Sequence, residues 1–101
     1  MTDTNKWYIY AWNVQITRNA EKQAKQLSVS IRKKIVALIL DIELGGPIRG
    51  NWPNYGKLDD TRHHCHIRKG KPCYVAIWQV IDKTIKIVKA NYVGTHEKAP
   101  Y

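Results

Sequence analysis

The chain has 101 residues, seventeen Lys plus Arg against eight Asp plus Glu, and a formal charge of +9. That length makes one domain, residues 1–101, with a modest core and no room for a second. The charge favours nucleic acid, the ribosome or an acidic protein as partner and argues against a small neutral ligand.

Residues 1–6 are polar, lack an apolar signal core and are expected to be disordered. No run of about eighteen apolar residues follows anywhere, so the expectation is a cytoplasmic protein with no membrane partner. Residues 7–16 alternate, with Tyr8, Tyr10, Trp12, Val14 and Ile16 on one side, the period of a half-buried strand. Thr17 caps a short polar helix over residues 18–27. Ser28 caps a second, in which Ile31, Ile35, Leu38, Ile39 and Ile42 recur at helical spacing until Gly45, Gly46 and Pro47 stop it. This second helix is apolar enough to be largely buried. Residues 45–61 are rich in Gly, Pro and Asn and read as a loop anchored by Trp52 and Leu58. Three strands follow, over residues 62–68, 73–81 and 84–93, joined by turns at 70–72 and 82–83. The order is β-α-α-β-β-β. An α+β fold is expected, a four-stranded, mainly antiparallel sheet with both helices packed on one face and the other face open.

Three of the four histidines, His63, His64 and His66, fall in the 62–68 strand, and the fourth, His96, follows the last strand. Imidazole exchanges protons near neutral pH without unusual burial, so chemistry is expected here. Strand alternation puts His64, His66 and Arg68 on one face and His63, Cys65 and Ile67 on the other, where Cys65 and Ile67 read as core. Gly94 permits a sharp exit that can bring His96 and Tyr101 over the same face as His64 and His66, a frayed terminus being the alternative. A solvated polar face is the plain alternative. A zinc site is disfavoured because Cys65 points away from His64 and His66 and no Cys-x-x-Cys is present. Cys65 and Cys73 read as buried or idle thiols.

The element order, the loop from Gly50 through Trp52, Pro53 and Tyr55 to Leu58, the strand from Tyr74 through Trp78 to Asp82 and the terminal Val93-Gly94-Thr95-His96 together resemble the RelE/ParE toxin superfamily. The likeness runs from Trp7 to the C-terminus and is greatest to the YafQ-like branch of ribosome-dependent mRNA interferases that end in Gly-Thr-His. It implies a toxin of a type II toxin–antitoxin system, an endoribonuclease that enters the ribosomal A site, cuts mRNA without a metal or other cofactor and is masked by a cognate antitoxin. It also implies roles: His66 and His96 as an acid/base pair, Arg68 on the phosphate, Tyr101 on a base or phosphate, His64 as a secondary catalytic group, and Arg62, Lys69, Lys71 and Lys98 as RNA-binding cations. Two positions depart from the superfamily pattern. Val75 stands where some members carry arginine, and Gly70 with nearby lysines stands where YafQ-like toxins carry an acid. A ParE-like gyrase poison and a non-enzymatic RNA- or ribosome-binding module using the same basic face are the competing functions.

Overall fold

The computed structural model describes residues 12–68, 72–83 and 87–100. The expectations placed on residues 1–6 and 7–11, on Lys69, Gly70 and Lys71, on residues 84–86 and on Tyr101 lie outside the described residues.

Two short polar side chains start the helices. Thr17 Oγ1 accepts a hydrogen bond from the Ala20 N–H (3.1 Å) at the head of α1 (Arg18–Lys25), and Ser28 Oγ accepts one from Ile31 (3.3 Å) at the head of α2 (Val29–Gly45). Each satisfies a first-turn donor that has no partner within the helix. α2 ends at Gly46, whose φ of 96° and ψ of −179° lie in a region that only glycine occupies comfortably. The Gly46 N–H closes on Ile42 O at 2.7 Å. A side chain at this position would meet the Trp12 indole nitrogen at 3.0 Å.

Five strands form one sheet in the order β1-β5-β4-β3-β2: β1 (Asn13–Ile16), β2 (Gly56–Lys57), β3 (Arg62–Arg68), β4 (Tyr74–Asp82) and β5 (Ile87–Thr95). β1 runs parallel to β5 and every other pair is antiparallel. The expected class is observed, with one more strand than the four anticipated. The addition is the two-residue β2, formed where the Gly- and Asn-rich loop lies along β3.

The core lies between α2 and the sheet. Ile31, Ile35, Leu38 and Ile42 pack on Cys65, Ala76, Trp78 and Val88. Trp78 is buried, and its indole N–H donates to Pro47 O at 2.9 Å, so the largest buried side chain also pins the chain that leaves α2. On the first helix, Gln23 Oε1 accepts from the Val93 N–H at 3.2 Å, beside an irregularity in the β4–β5 ladder.

Two expectations need correcting. α2 is apolar on both sides: Val29, Val36, Leu40 and Leu44 are exposed and stand opposite the buried stripe at about 100° per residue. It is therefore only half-buried. The second face of the sheet is not bare either, since Val75, Ile77 and Tyr92 form a smaller buried cluster packed by Leu58, Cys73 and Ala99. Gly94 contributes here through close approach: a Cβ on it would meet Tyr92 Oη at 2.6 Å, the hydroxyl that donates to Thr95 O.

Gly46→Ala should destabilise the fold by about 1–3 kcal/mol, the usual cost of forcing a side chain into this backbone region. Urea melts of the variant and of Gly50→Ala, whose Cβ meets nothing within 4 Å, check this; equal midpoints would remove the strain argument.

Candidate acid–base site

β3 delivers the site through its burial alternation. His63, Cys65 and Ile67 are buried, while Arg62, His64, His66 and Arg68 are partly exposed. β3 and β4 fix the neighbours by register, with His64 opposite Ile77 and His66 opposite Val75. Both histidines thus rise from the edge of the small apolar cluster. β5 then hands over to a single 3-10 turn, His96–Lys98, and the His96 N–H donates to Cys73 O at 2.8 Å. That bond draws the exposed His96 back across the head of β4. The His66 and His96 rings lie 5.4 Å apart, centroid to centroid, edge to face at 64°.

Cys73, read from sequence as an idle thiol, touches this pair. Its Sγ is 3.2 Å from His66 Nδ1. The available signal was the turn itself, since a hairpin closing at 70–72 sets position 73 diagonally across from position 66. Cys65 is the inert one: burial pushes its thiol up to about 12, and it faces the helices. Among the described residues no three histidines, cysteines or carboxylates are grouped to hold a metal ion.

The remaining candidates divide. His64 Nδ1–H donates to Gly56 O at 2.9 Å, which ties that ring to β2. The ladder register shifts between His66 and Arg68, interrupting the expected shared face. The Arg68 guanidinium lies 5.1 Å over the Tyr74 ring and donates to Pro72 O at 3.1 Å. Arg62 is held by Asp59 at 2.7 Å, and that contact, with further hydrogen bonds from the Arg62 and Thr61 backbone, lowers the Asp59 carboxyl to about 2. Lys98 is exposed beside Thr95, Tyr74, Gln23 and Gln26. Lys69, Lys71 and Tyr101 lie outside the described residues.

His63 is the histidine the fold consumes. It is 3% exposed, hydrogen-bonded to Tyr55 Oη at 2.7 Å, and joins Tyr55 and Trp78 in a three-ring cluster, its centroid 5.9 Å from each and theirs 6.2 Å from one another. Burial first, and the nearby Lys57 second, lower its pKa below 6.5, with Asp59 acting the other way.

No family model matches the chain, and no curated protein matches its sequence. Solved structures do match in fold. A chain of the archaeal RelE–RelB complex from Pyrococcus horikoshii OT3 aligns with a TM-score of 0.64 at 16% identity, over 87% of this chain and 98% of that one. A chain of the intact E. coli RelBE toxin–antitoxin complex aligns at 0.64 and 22% identity, over 87% and 100%. A mutant E. coli toxin RelE in the free state aligns at 0.61 and 21%, over 88% and 87%. The chain has the fold of RelE toxins.

Acid should loosen the fold through His63. The folded state holds His63 neutral, so below 6.5 the unfolded chain binds the extra proton first, and stability falls with pH until the lowered folded pKa is passed. Urea midpoints across that window should fall more steeply for wild type than for His63→Phe. His63→Ala should cost about 2–4 kcal/mol, as other large-to-small core changes do; a neutral His63→Ala would contradict the stacked, buried geometry.

Proposed function

We propose that the protein is the toxin of a type II toxin–antitoxin pair, acting in the cytoplasm as an endoribonuclease that cuts mRNA in the ribosomal A site. The observation that carries the reading is the His66–His96 ring pair at 5.4 Å on a fold shared with RelE toxins. Two imidazoles that close suit a 2′-hydroxyl attack on the adjacent phosphate. One ring takes the 2′-hydroxyl proton as the 2′-oxygen–phosphorus bond forms. The other gives a proton to the 5′-oxygen as its bond to phosphorus breaks, leaving a 2′,3′-cyclic phosphate and a free 5′-hydroxyl. The cations proposed for the charged phosphate and the RNA are Arg68, Lys98, Lys69 and Lys71, with His64 as an electrostatic neighbour and Tyr101 to stack on a base. Arg62 takes part only where Asp59 releases it.

An acidic antitoxin suits the remaining surface. The exposed stripe of Val36, Leu40 and Leu44 on α2 continues at its N-terminal end into Val29 flanked by Arg32 and Lys33. An amphipathic helix with acidic margins fits it, and a second copy of a chain carrying +9 does not. Two of the structural neighbours come from complexes, the E. coli RelBE toxin–antitoxin complex and the Pyrococcus RelE–RelB complex.

Two outcomes follow for the site. His66→Ala and His96→Ala should each lower cleavage in a ribosome-programmed mRNA assay by about 10²–10⁴-fold, the usual loss on removing a positioned acid or base. His96 is exposed, so its replacement should leave stability within about 0.5 kcal/mol of wild type. His66 is half-buried against Val75, and its loss should cost somewhat more. Chelation that leaves ribosomes intact should not stop cleavage. Intact mRNA together with a DNA-damage response would mark a gyrase poison instead, and binding without cleavage would mark a passive ribosome-binding module.

For the partner, Leu40→Glu should weaken antitoxin binding about tenfold or more, because it sets a like charge in an apolar contact. Association should also slow as salt rises. Rates indifferent to ionic strength would remove the electrostatic part of this reading.

A further inference from the structure

Cys73 stands immediately before β4 and makes two contacts, one through its side chain and one through its main chain. Its side chain reaches His66, Sγ to Nδ1 at 3.2 Å, and its backbone carbonyl accepts the His96 N–H at 2.8 Å. The thiol is itself seated against the Val75, Ile77 and Tyr92 cluster, which limits where it can go. One residue thus holds both rings of the 5.4 Å pair, one through its sulfur and one through its main chain.

The chemistry of the sulfur contact selects a tautomer. A thiol is a weak donor and a weak acceptor, whereas the bare nitrogen of a neutral imidazole is a good acceptor. S–H donating to Nδ1 is therefore favoured over Nδ1–H donating to sulfur. With Nδ1 accepting, the ring proton sits on Nε2, because the bond made by one imidazole nitrogen sets the state of the other. We infer that Cys73 is a positioning residue of the proposed cleavage site, tying His66 and His96 to one point of the backbone and holding His66 with its proton on Nε2.

That state separates the two histidines by role. A ring with Nδ1 engaged and Nε2 protonated is the donor to the departing 5′-oxygen, as neutral imidazoles are elsewhere when they polarise a substrate oxygen. It is not the base for the 2′-hydroxyl. That task falls to His96. The 5′-oxygen keeps the proton from His66, solvent returns one to that ring, and the base gives the 2′-hydroxyl proton to solvent. The kinetic part of this inference rests on the ribonuclease reading; the tautomer does not.

The experiment therefore has two arms. Long-range proton–nitrogen NMR on histidine-labelled protein at pH above 6.5 should show His66 as the Nε2–H form in wild type and in Cys73→Ser, and as a mixture in Cys73→Ala. In the ribosome-programmed assay, Cys73→Ala should lower kcat roughly tenfold or more with KM little changed, by analogy with the loss seen when the hydrogen-bond partner of a metal-bound histidine is removed. It should also displace one limb of the pH profile, while Cys73→Ser recovers most of both. Circular dichroism checks that each variant is folded. A His66 tautomer identical in wild type and folded Cys73→Ala overturns the inference, as does an unchanged pH profile in that variant. Full cleavage by His66→Ala would instead defeat the ribonuclease role of His66, and the NMR arm would still decide the thiol contact.

Discussion

Everything in the site depends on the register of β3, and a buried aromatic stack sets that register. His63 packs in a three-ring cluster with Tyr55 and Trp78 and is hydrogen-bonded to Tyr55, with Trp78 tied in turn to Pro47. A strand has a side-chain period of two, so moving it by one residue would exchange every inward and outward group. Such a slip would bury His64 and His66 without partners and lift His63, Cys65 and Ile67 into water. The stack thus acts at a distance. It touches none of the groups proposed for chemistry, yet it decides which histidines reach the second face.

The second face is a shallow apolar platform rather than an open sheet. Val75, Ile77 and Tyr92 fill its centre, and Gly94 leaves room for the Tyr92 ring, whose hydroxyl fixes the Thr95 carbonyl where the strand gives way to the 3-10 turn. That turn starts at His96. The position of a histidine beyond the last strand is consequently set by packing and two hydrogen bonds, from Tyr92 to Thr95 and from His96 to Cys73, instead of being left to a loose end. Dry surroundings also strengthen the polar contacts at their rim, since fewer waters compete for them.

Much of this was legible in the sequence because short-range rules govern it. Thr17 and Ser28 are caps by residue type and spacing, Gly46 is a helix end by its conformational freedom, and the alternation of residues 62–68 separates His63 from His66. The missing parts depend on long-range pairing. Nothing local shows β1 running parallel to β5, or a two-residue β2 lying along β3. The outward stripe of α2 was present in the sequence, but an apolar helix reads as buried whichever side its partner takes. Arg62 looked like a free cation because Asp59 precedes the strand and its fold back onto Arg62 is a loop event. Cys73 looked idle because the contact that gives it meaning crosses a hairpin.

Charge distribution links the two surfaces. Between described residues, Arg62–Asp59 is the ion pair the fold makes, against a chain excess of nine positive charges. Exposed pairs of this kind add little stability, about 0–1 kcal/mol at most. The excess is therefore not an element of folding, and self-repulsion makes it a modest burden on the compact state. A fold retains such a burden most readily when something outside it supplies the opposite charge. In the proposed function, RNA phosphates meeting the histidine face and an acidic helix meeting α2 would be two such sources, on different sides of the core. In that reading, an antitoxin bound along α2 and extending toward β3 would neutralise the same field that would draw RNA in, so inhibition would not require it to reach His66 or His96 at all.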